Sequence, residues 1–183
     1  MALLETTVGS LNYNVLSYLL KTGNVIQIGL GAEIGVLHGD TSDHLLQEIP
    51  SLTLLSIDPY IEYIEEGHDR SSNALSECER ATKLRLSKYG DRSRMLKLTS
   101  LEAAKQIPDG SLDFVFIDAM HTYDAVKEDI KAWYPKVRAE GLITGHDYRW
   151  SGVQKAVDEF QKEVQLDGFV TTPSSDVWFF VKP

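Results

Sequence analysis

The part of the chain that most limits its fold is residues 112–148, LDFVFIDAMHTYDAVKEDIKAWYPKVRAEGLITGHDY. It opens with an apolar run, 112–117, broken only at Asp113 and stopping at Asp118. A segment of helical period follows, with Val126, Ile130, Trp133 and Val137 on one side, and Pro135 ends or kinks it near Trp133. A turn is predicted at Glu140-Gly141, and a second apolar run, 142–144, stops at His146-Asp147. The order is strand, helix, strand, with polar side chains where each strand ends. Apolar runs of this kind mark strands buried on both faces, as in a parallel sheet covered by helices. In open parallel sheets the ligand sits outside the carboxyl ends of the strands. Asp118, His121, His146 and Asp147 are therefore expected to share one cleft.

The remaining sequence repeats this grammar. A leading helix is predicted over 10–20, with Ser10 as N-cap and Leu11, Val15, Tyr18 and Leu19 on one face. Gly23-Asn24 ends it, and segment 1–23 is expected to cover a sheet edge or the cleft. Residues 25–36 read as a strand entering a glycine turn, and a helix leaves from Thr41-Ser42-Asp43. Glycines there permit positive φ and close approach of a ligand to the backbone, beside the free N–H groups of a helix N-terminus. A second strand, 52–57, ends at Asp58. The polar segment 62–90 is predicted to hold a loop containing His68 and then a surface helix over 71–89. A third strand, 94–99, leads into a helix with Ser100 as N-cap. Beyond Asp147, Ser151 is the expected N-cap of an amphipathic helix carrying Val153, Val157, Phe160 and Val164. Two β-rich runs, 169–172 and 177–181, close the chain as a hairpin. Strand–helix alternation gives a parallel sheet, and the hairpin adds an antiparallel strand at one edge. One α/β domain over residues 1–183 is expected.

The acidic balance, −9 from 27 acidic and 18 basic residues, argues against nucleic-acid binding, which needs a concentrated basic surface. The cluster Arg80, Lys83, Arg85, Lys88, Arg92, Arg94 and Lys97 reads as a solvated helix face and the turn after it, or as a patch for an anionic partner. Cys78 is alone, so no intrachain disulfide is expected. No apolar run approaches the roughly 18 residues a membrane span needs, and the first residues lack the basic start of a signal peptide. The expectation is a cytoplasmic protein without membrane or nucleic-acid partners, acting on a small molecule and compatible with a homo-oligomer.

Asp58 has a chemical reading of its own. A carboxylate at the end of the second strand, about 20 residues past the glycine turn, is placed to accept hydrogen bonds from a ribose diol. The bland alternative is that it caps the turn before Pro59.

The string Glu33-Ile34-Gly35-Val36-Leu37-His38-Gly39 resembles the E-x-G-x-x-x-G motif of class I S-adenosylmethionine-dependent methyltransferases, and Asp58 matches their acidic residue after the second strand. Ile117-Asp118-Ala119-Met120-His121-Thr122-Tyr123, then Trp133 with Pro135, and Gly145-His146-Asp147-Tyr148 resemble the family 24 branch, which is similar to small-molecule and sugar O-methyltransferases. The resemblance covers residues 25–183. It implies a Rossmann-like three-layer α/β sandwich with a mostly parallel seven-stranded sheet and a C-terminal antiparallel hairpin. It implies S-adenosylmethionine as cofactor, with Glu33, Gly35 and Gly39 by its methionine part, Asp58 on the ribose, Ser100 or Leu101 by the adenine, and Asp118 where methyl and acceptor meet. Related metal-dependent O-methyltransferases follow the fifth strand with two oxygen ligands, whereas here the pair is His146-Asp147. The candidate metal set is Asp118, His146 and Asp147, for Mg²⁺ or another divalent cation. Mg²⁺ prefers oxygen donors, and imidazole suits softer ions. An alcohol acceptor must also lose its proton, and His121 is the candidate base because it titrates near neutral pH.

Two other classes stay open on the sequence. A nicotinamide-dependent dehydrogenase would use Asp58 equally well, and Tyr123-x-x-x-Lys127 with Ser111 upstream has a Tyr/Lys spacing used by such enzymes, but no G-x-G-x-x-G follows the first strand. A non-catalytic binding module on the same fold is the third.

Overall fold

A computed structural model of the chain describes residues 12–22, 28–64, 71–165, 170–172 and 176–183. The N-cap expected at Ser10, the stop at Gly23-Asn24, the loop holding His68, and Phe169 lie outside those residues. Seven strands form one sheet in the order β3-β2-β1-β4-β5-β7-β6. These are β1 (Leu30–Ile34), β2 (Thr53–Ile57), β3 (Ser93–Leu96), β4 (Leu112–Ile117), β5 (Val137–Gly145), β6 (Val170–Thr172) and β7 (Val177–Val181). The first five are parallel, and β7 runs antiparallel to both β5 and β6. The terminal hairpin is thus an extension of the sheet, with its second strand inserted next to β5.

Among the described residues, six α-helices cover the two faces. The leading helix α1 (Asn12–Thr22), α2 (Asp40–Glu48) and α3 (Ser72–Leu86) lie on one side, and α4 (Ser100–Ala104), α5 (Tyr123–Trp133) and α6 (Ser151–Glu163) on the other. Alternation along β4 shows why both faces are apolar. Phe114 and Phe116 pack with Leu16, Leu45 and Leu86, whereas Val115 and Ile117 pack with Ile130, Trp133 and Val157. A buried Phe or Leu contributes about 1.5–3 kcal/mol relative to exposure, so this two-sided run commits β4 to the centre of the sheet. Asp113, the one polar residue in it, sits at the amino end. Its carboxylate accepts from Gly29 N (2.6 Å), Leu30 N (2.9 Å) and Arg138 Nε (2.8 Å), which joins the starts of β1, β4 and β5.

The structure corrects four local expectations. Glu140-Gly141 does not end an element: Glu140 has φ 61°, the register to β4 shifts between Leu112 and Phe114, and the strand continues from Val137 to Gly145. The turn signal is a bulge, and Glu140 N and Gly141 O pair with Lys182 across it. The N-cap of α4 is Thr99 rather than Ser100, in a capping box with Glu102. Ser151 is the first residue of α6, after Trp150 as N-cap. The third strand stops at Leu96, short of Thr99.

The basic cluster is largely neutralised locally. Lys83 and Lys97 pair with Glu79, Lys88 pairs with Asp43, and Arg85 pairs with Asp40. Arg92 donates to the carbonyls of Leu46, Ile49 and Leu52. Among the described residues, no helix is long and apolar enough to cross a membrane.

Candidate active site

Strand register builds the site. Ile57, Ile34, Ile117 and Gly145 stand abreast on β2, β1, β4 and β5. The next residues, Asp58, Gly35, Asp118 and His146, therefore leave the sheet in one row at its carboxyl edge. A cavity of about 950 Å³ opens over that row, lined by the loops after β1, β2, β3, β4 and β5 together with Tyr13 of α1. The leading helix thus contributes to the cleft as well as to the core.

The glycine turn is held by backbone geometry that side chains would disrupt. Gly35 has φ 85°, and a Cβ there would fall 2.1 Å from the Asp118 carbonyl oxygen. Gly39 has φ 73° and caps α2, whose first turn faces the cavity at Asp40 and Thr41. Between them Leu37 takes φ 47°, a strained value for such a residue. Its carbonyl accepts from Thr82 Oγ1 (2.8 Å) and Tyr60 Oη (3.2 Å), so α3 and the loop after β2 fix the turn.

Asp58 binds this turn directly. Its Oδ2 accepts from Val36 N (2.9 Å) and Leu37 N (3.0 Å), and its Oδ1 from Tyr60 N (2.8 Å). Asp58 thus caps the turn before Pro59 and also sits on the cavity wall, with Oδ1 engaged by one of these bonds. Glu33 is enclosed beneath the same turn. Burial drives its carboxyl well above the usual range, against the hydrogen bond from Ser42 Oγ and with the charges of Asp118, Asp58 and Asp40 adding to the rise. Sequence reasoning missed Ser42, which looked like part of a helix start.

Past β4 and β5 lies a compact ionic cluster. His121 Nε2 stands 2.8 Å from Asp147 Oδ2 and 4.0 Å from Asp118 Oδ1. His146 Nδ1 stands 3.2 Å from Asp147 Oδ2 and 3.7 Å from Asp118 Oδ1. Burial raises the pKa of both carboxyls and lowers that of His146. Hydrogen bonds between the imidazoles and the carboxylates outweigh it, so Asp118 and Asp147 stay below the carboxylate range and His146 is pushed up to about 10. Asp147 takes φ 56°, a non-glycine conformation found at constrained sites. The His121 ring packs at a tilt of 34° against Trp150, 4.9 Å between centroids, and the tight backbone approach at Gly152, where a Cβ would meet His121 O at 2.6 Å, seats α6 on the same loop. Among the described residues, Asp118, His121 and Asp147 can bring one donor atom each within 4.8 Å of one another. The expected metal set named His146 in place of His121. That grouping holds His121, which sequence alone assigned to proton transfer, while His146 Nδ1 stands at comparable distances from the same two carboxylate oxygens.

Two features bear on the dehydrogenase alternative. Tyr123 Oη donates to Glu159 at 2.5 Å and accepts from Lys127 at 2.5 Å, so this pair bridges α5 and α6 outside the cavity lining. Ser111 bonds Pro108 O at the amino edge of the sheet, opposite the row of strand ends. Tyr148 likewise turns away, to Asp158 of α6.

Taken together, an open α/β sheet with a glycine turn after β1, an acid after β2 and a polar cluster past β4 and β5 places the chain in the Rossmann-like α/β class. The family model described as a methyltransferase domain, family 24, matches residues 32–148. The chain belongs to that family, and S-adenosylmethionine is the methyl donor the family implies. Solved structures of the same fold include a protein from Corynebacterium glutamicum (20% identical, TM-score 0.67, covering 92% of this chain and 78% of that one). They also include the O-methyltransferase NovP (18%, TM-score 0.67, 93% and 78%) and a candidate caffeoyl-CoA O-methyltransferase from Staphylococcus aureus (17%, TM-score 0.65, 93% and 82%). At these identities the likeness is one of fold. An uncharacterized protein, y4gI, from Sinorhizobium fredii is 38% identical over 55 residues, which is 30% of this chain and 6% of that protein.

Proposed function

We propose that the protein transfers the methyl group of S-adenosylmethionine to a hydroxyl oxygen of a small molecule. The observation that carries this reading is the Asp118–His121–Asp147 cluster, at the end of the cavity past β4 and β5 and away from Asp58 after β2. Two of the structural relatives are named as O-methyltransferases, one of them as a candidate. The ribose is held at Asp58, which has acceptor capacity left at Oδ1. The methionine part lies along the turn from Gly35 to Gly39, whose backbone packs too closely on Asp118 and Thr82 for side chains, and its cationic amino group meets the buried Glu33 carboxyl. The sulfonium then points along the row toward Asp118. Holding the acceptor oxygen in line with the methyl group supplies on the order of 7–11 kcal/mol through proximity. His121 takes the hydroxyl proton, with Asp147 orienting the imidazole.

A second reading follows from the same cluster. Two carboxylate oxygens and one imidazole nitrogen fit a divalent ion of the Mn²⁺, Fe²⁺ or Zn²⁺ kind better than Mg²⁺. Asp118, His121 and Asp147 would hold it, and such an ion lowers the pKa of a bound hydroxyl.

Transfer of labelled methyl from S-adenosylmethionine to a panel of aromatic and sugar hydroxyl compounds tests the proposal, in untreated and chelator-treated protein. His121→Gln is expected to lower turnover at least about 100-fold. Full retention of activity by His121→Gln with chelator present would exclude both roles for this residue.

A further inference from the structure

Asp129 takes no part in the chemistry above, yet it is 6% exposed and borders the cavity. It stands in the middle of α5, facing α4. Trp133 Nε1 donates to Ser100 Oγ at 2.9 Å, and Ser100 Oγ donates in turn to Asp129 Oδ1. A hydroxyl has one proton to give, so Ser100 has none left for a ligand. Its role becomes that of fixing the carboxylate. The second oxygen, Oδ2, accepts no hydrogen bond among the described residues, and no Lys or Arg there forms an ion pair with Asp129. That oxygen is not sealed inside the protein: Asp129 lines the cavity, so Oδ2 is an acceptor open to a ligand donor. Burial pushes the Asp129 carboxyl up to about 6, the bond from Ser100 opposing and the charge of Glu128 adding to the rise. The site is built to be completed by an N–H from a ligand.

The strand order says which part of the ligand arrives there. Strand ends run β3, β2, β1, β4, β5 along the cavity. With the ribose at Asp58 after β2 and the sulfonium directed toward Asp118 after β4, the base must extend to the other side, over Thr99–Leu101 after β3. Asp129 is tied to that segment through Ser100. We propose, resting on the methyl-transfer reading, that Asp129 Oδ2 reads the base of the cofactor by accepting a hydrogen bond from the exocyclic amine of adenine, with Ser100 and Trp133 as positioning residues. A site that hydrogen-bonds a ligand group rejects the analogue lacking it more strongly than an apolar pocket can.

The test is calorimetric titration of the full chain with S-adenosylhomocysteine and with S-inosylhomocysteine, which carries a 6-oxo group in place of the 6-amino group. The wild-type chain is expected to bind the adenosyl compound at least about 10-fold more tightly. In Asp129→Asn the relay still directs Ser100 Oγ–H at the amide oxygen and turns the amide N–H₂ to the cavity. The preference is then expected to fall at least about 10-fold and to move toward the inosyl compound. Ser100→Ala, which keeps the carboxylate and removes its anchor, is expected to reduce the preference by a smaller factor. Equal binding of both compounds by the wild type, or an unchanged ratio in folded Asp129→Asn, overturns the assignment. Binding of neither compound by the wild type overturns the methyl-transfer reading instead, and this inference with it.

Discussion

Asp129 and Glu33 are carboxyls whose folded state disfavours their charge. For Asp129 the folded pKa of about 6 lies above the ordinary 3.8. Below the ordinary value both states are protonated. As pH rises through 6 the folded state must carry a buried charge, and stability is lost. Asp129→Asn is therefore expected to stabilise the ligand-free chain by on the order of 2–3 kcal/mol at pH 8 and by much less at pH 4. Thermal melts of both chains across that range measure it, and a pH-independent difference would contradict it. Glu33→Gln is expected to behave alike in direction, raising the melting temperature at pH 8 while weakening S-adenosylhomocysteine binding. Both substitutions would exchange binding for stability, as strained sites do. Of these two residues, Glu33 was singled out through the resemblance of its string to the E-x-G-x-x-x-G motif. Asp129 was not singled out, although a signal exists: it lies three residues after Val126 and four before Trp133, on the apolar side of a helix where a charge is out of place. His121 and Asp147 were readable because an apolar run that ends in polar residues marks a strand leaving the sheet. That both His121 and His146 turn a ring nitrogen toward the same two carboxylates was not, since that depends on loop conformation after β4 and β5.

At the scale of elements, the helices that carry the site depend on short local devices. The capping box of Thr99 and Glu102 starts α4 and so sets the direction in which Ser100 faces. Thr99→Ala is expected to cost about 1 kcal/mol of stability and to weaken cofactor binding through displacement of Ser100. Urea unfolding and titration on the same variant separate the two effects, and a stability loss with unchanged affinity would show that the cap does not govern the site. Element types were largely legible, because period-two and period-3.6 patterns are strong over 112–133 and 151–163. Boundaries were less so. Glu140-Gly141 carries real turn chemistry, and Glu140 does adopt positive φ, but long-range pairing with β4 and with Lys182 absorbs it as a bulge. Thr99 and Ser100 are both good caps, and only the Glu102 side chain decides between them.

At the scale of the whole molecule, a parallel sheet with its functional row at one edge leaves stability and chemistry to different regions. The core lies on both faces of β4, while the cleft gathers carboxylates at Glu33, Asp58, Asp118, Asp129 and Asp147. The cationic cofactor proposed above would add positive charge beside these carboxyls. Binding should therefore stabilise the fold by about 2.7 kcal/mol at a ligand concentration 100 times its Kd, read as a rise in melting temperature. The most direct measurement is calorimetric titration of the full chain with S-adenosylhomocysteine. Saturable binding to a single site, abolished or strongly weakened by Asp58→Ala in a variant that remains folded, is the expected result. No binding of S-adenosylhomocysteine or S-adenosylmethionine at millimolar concentration would contradict the central claim that this cleft is a cofactor site.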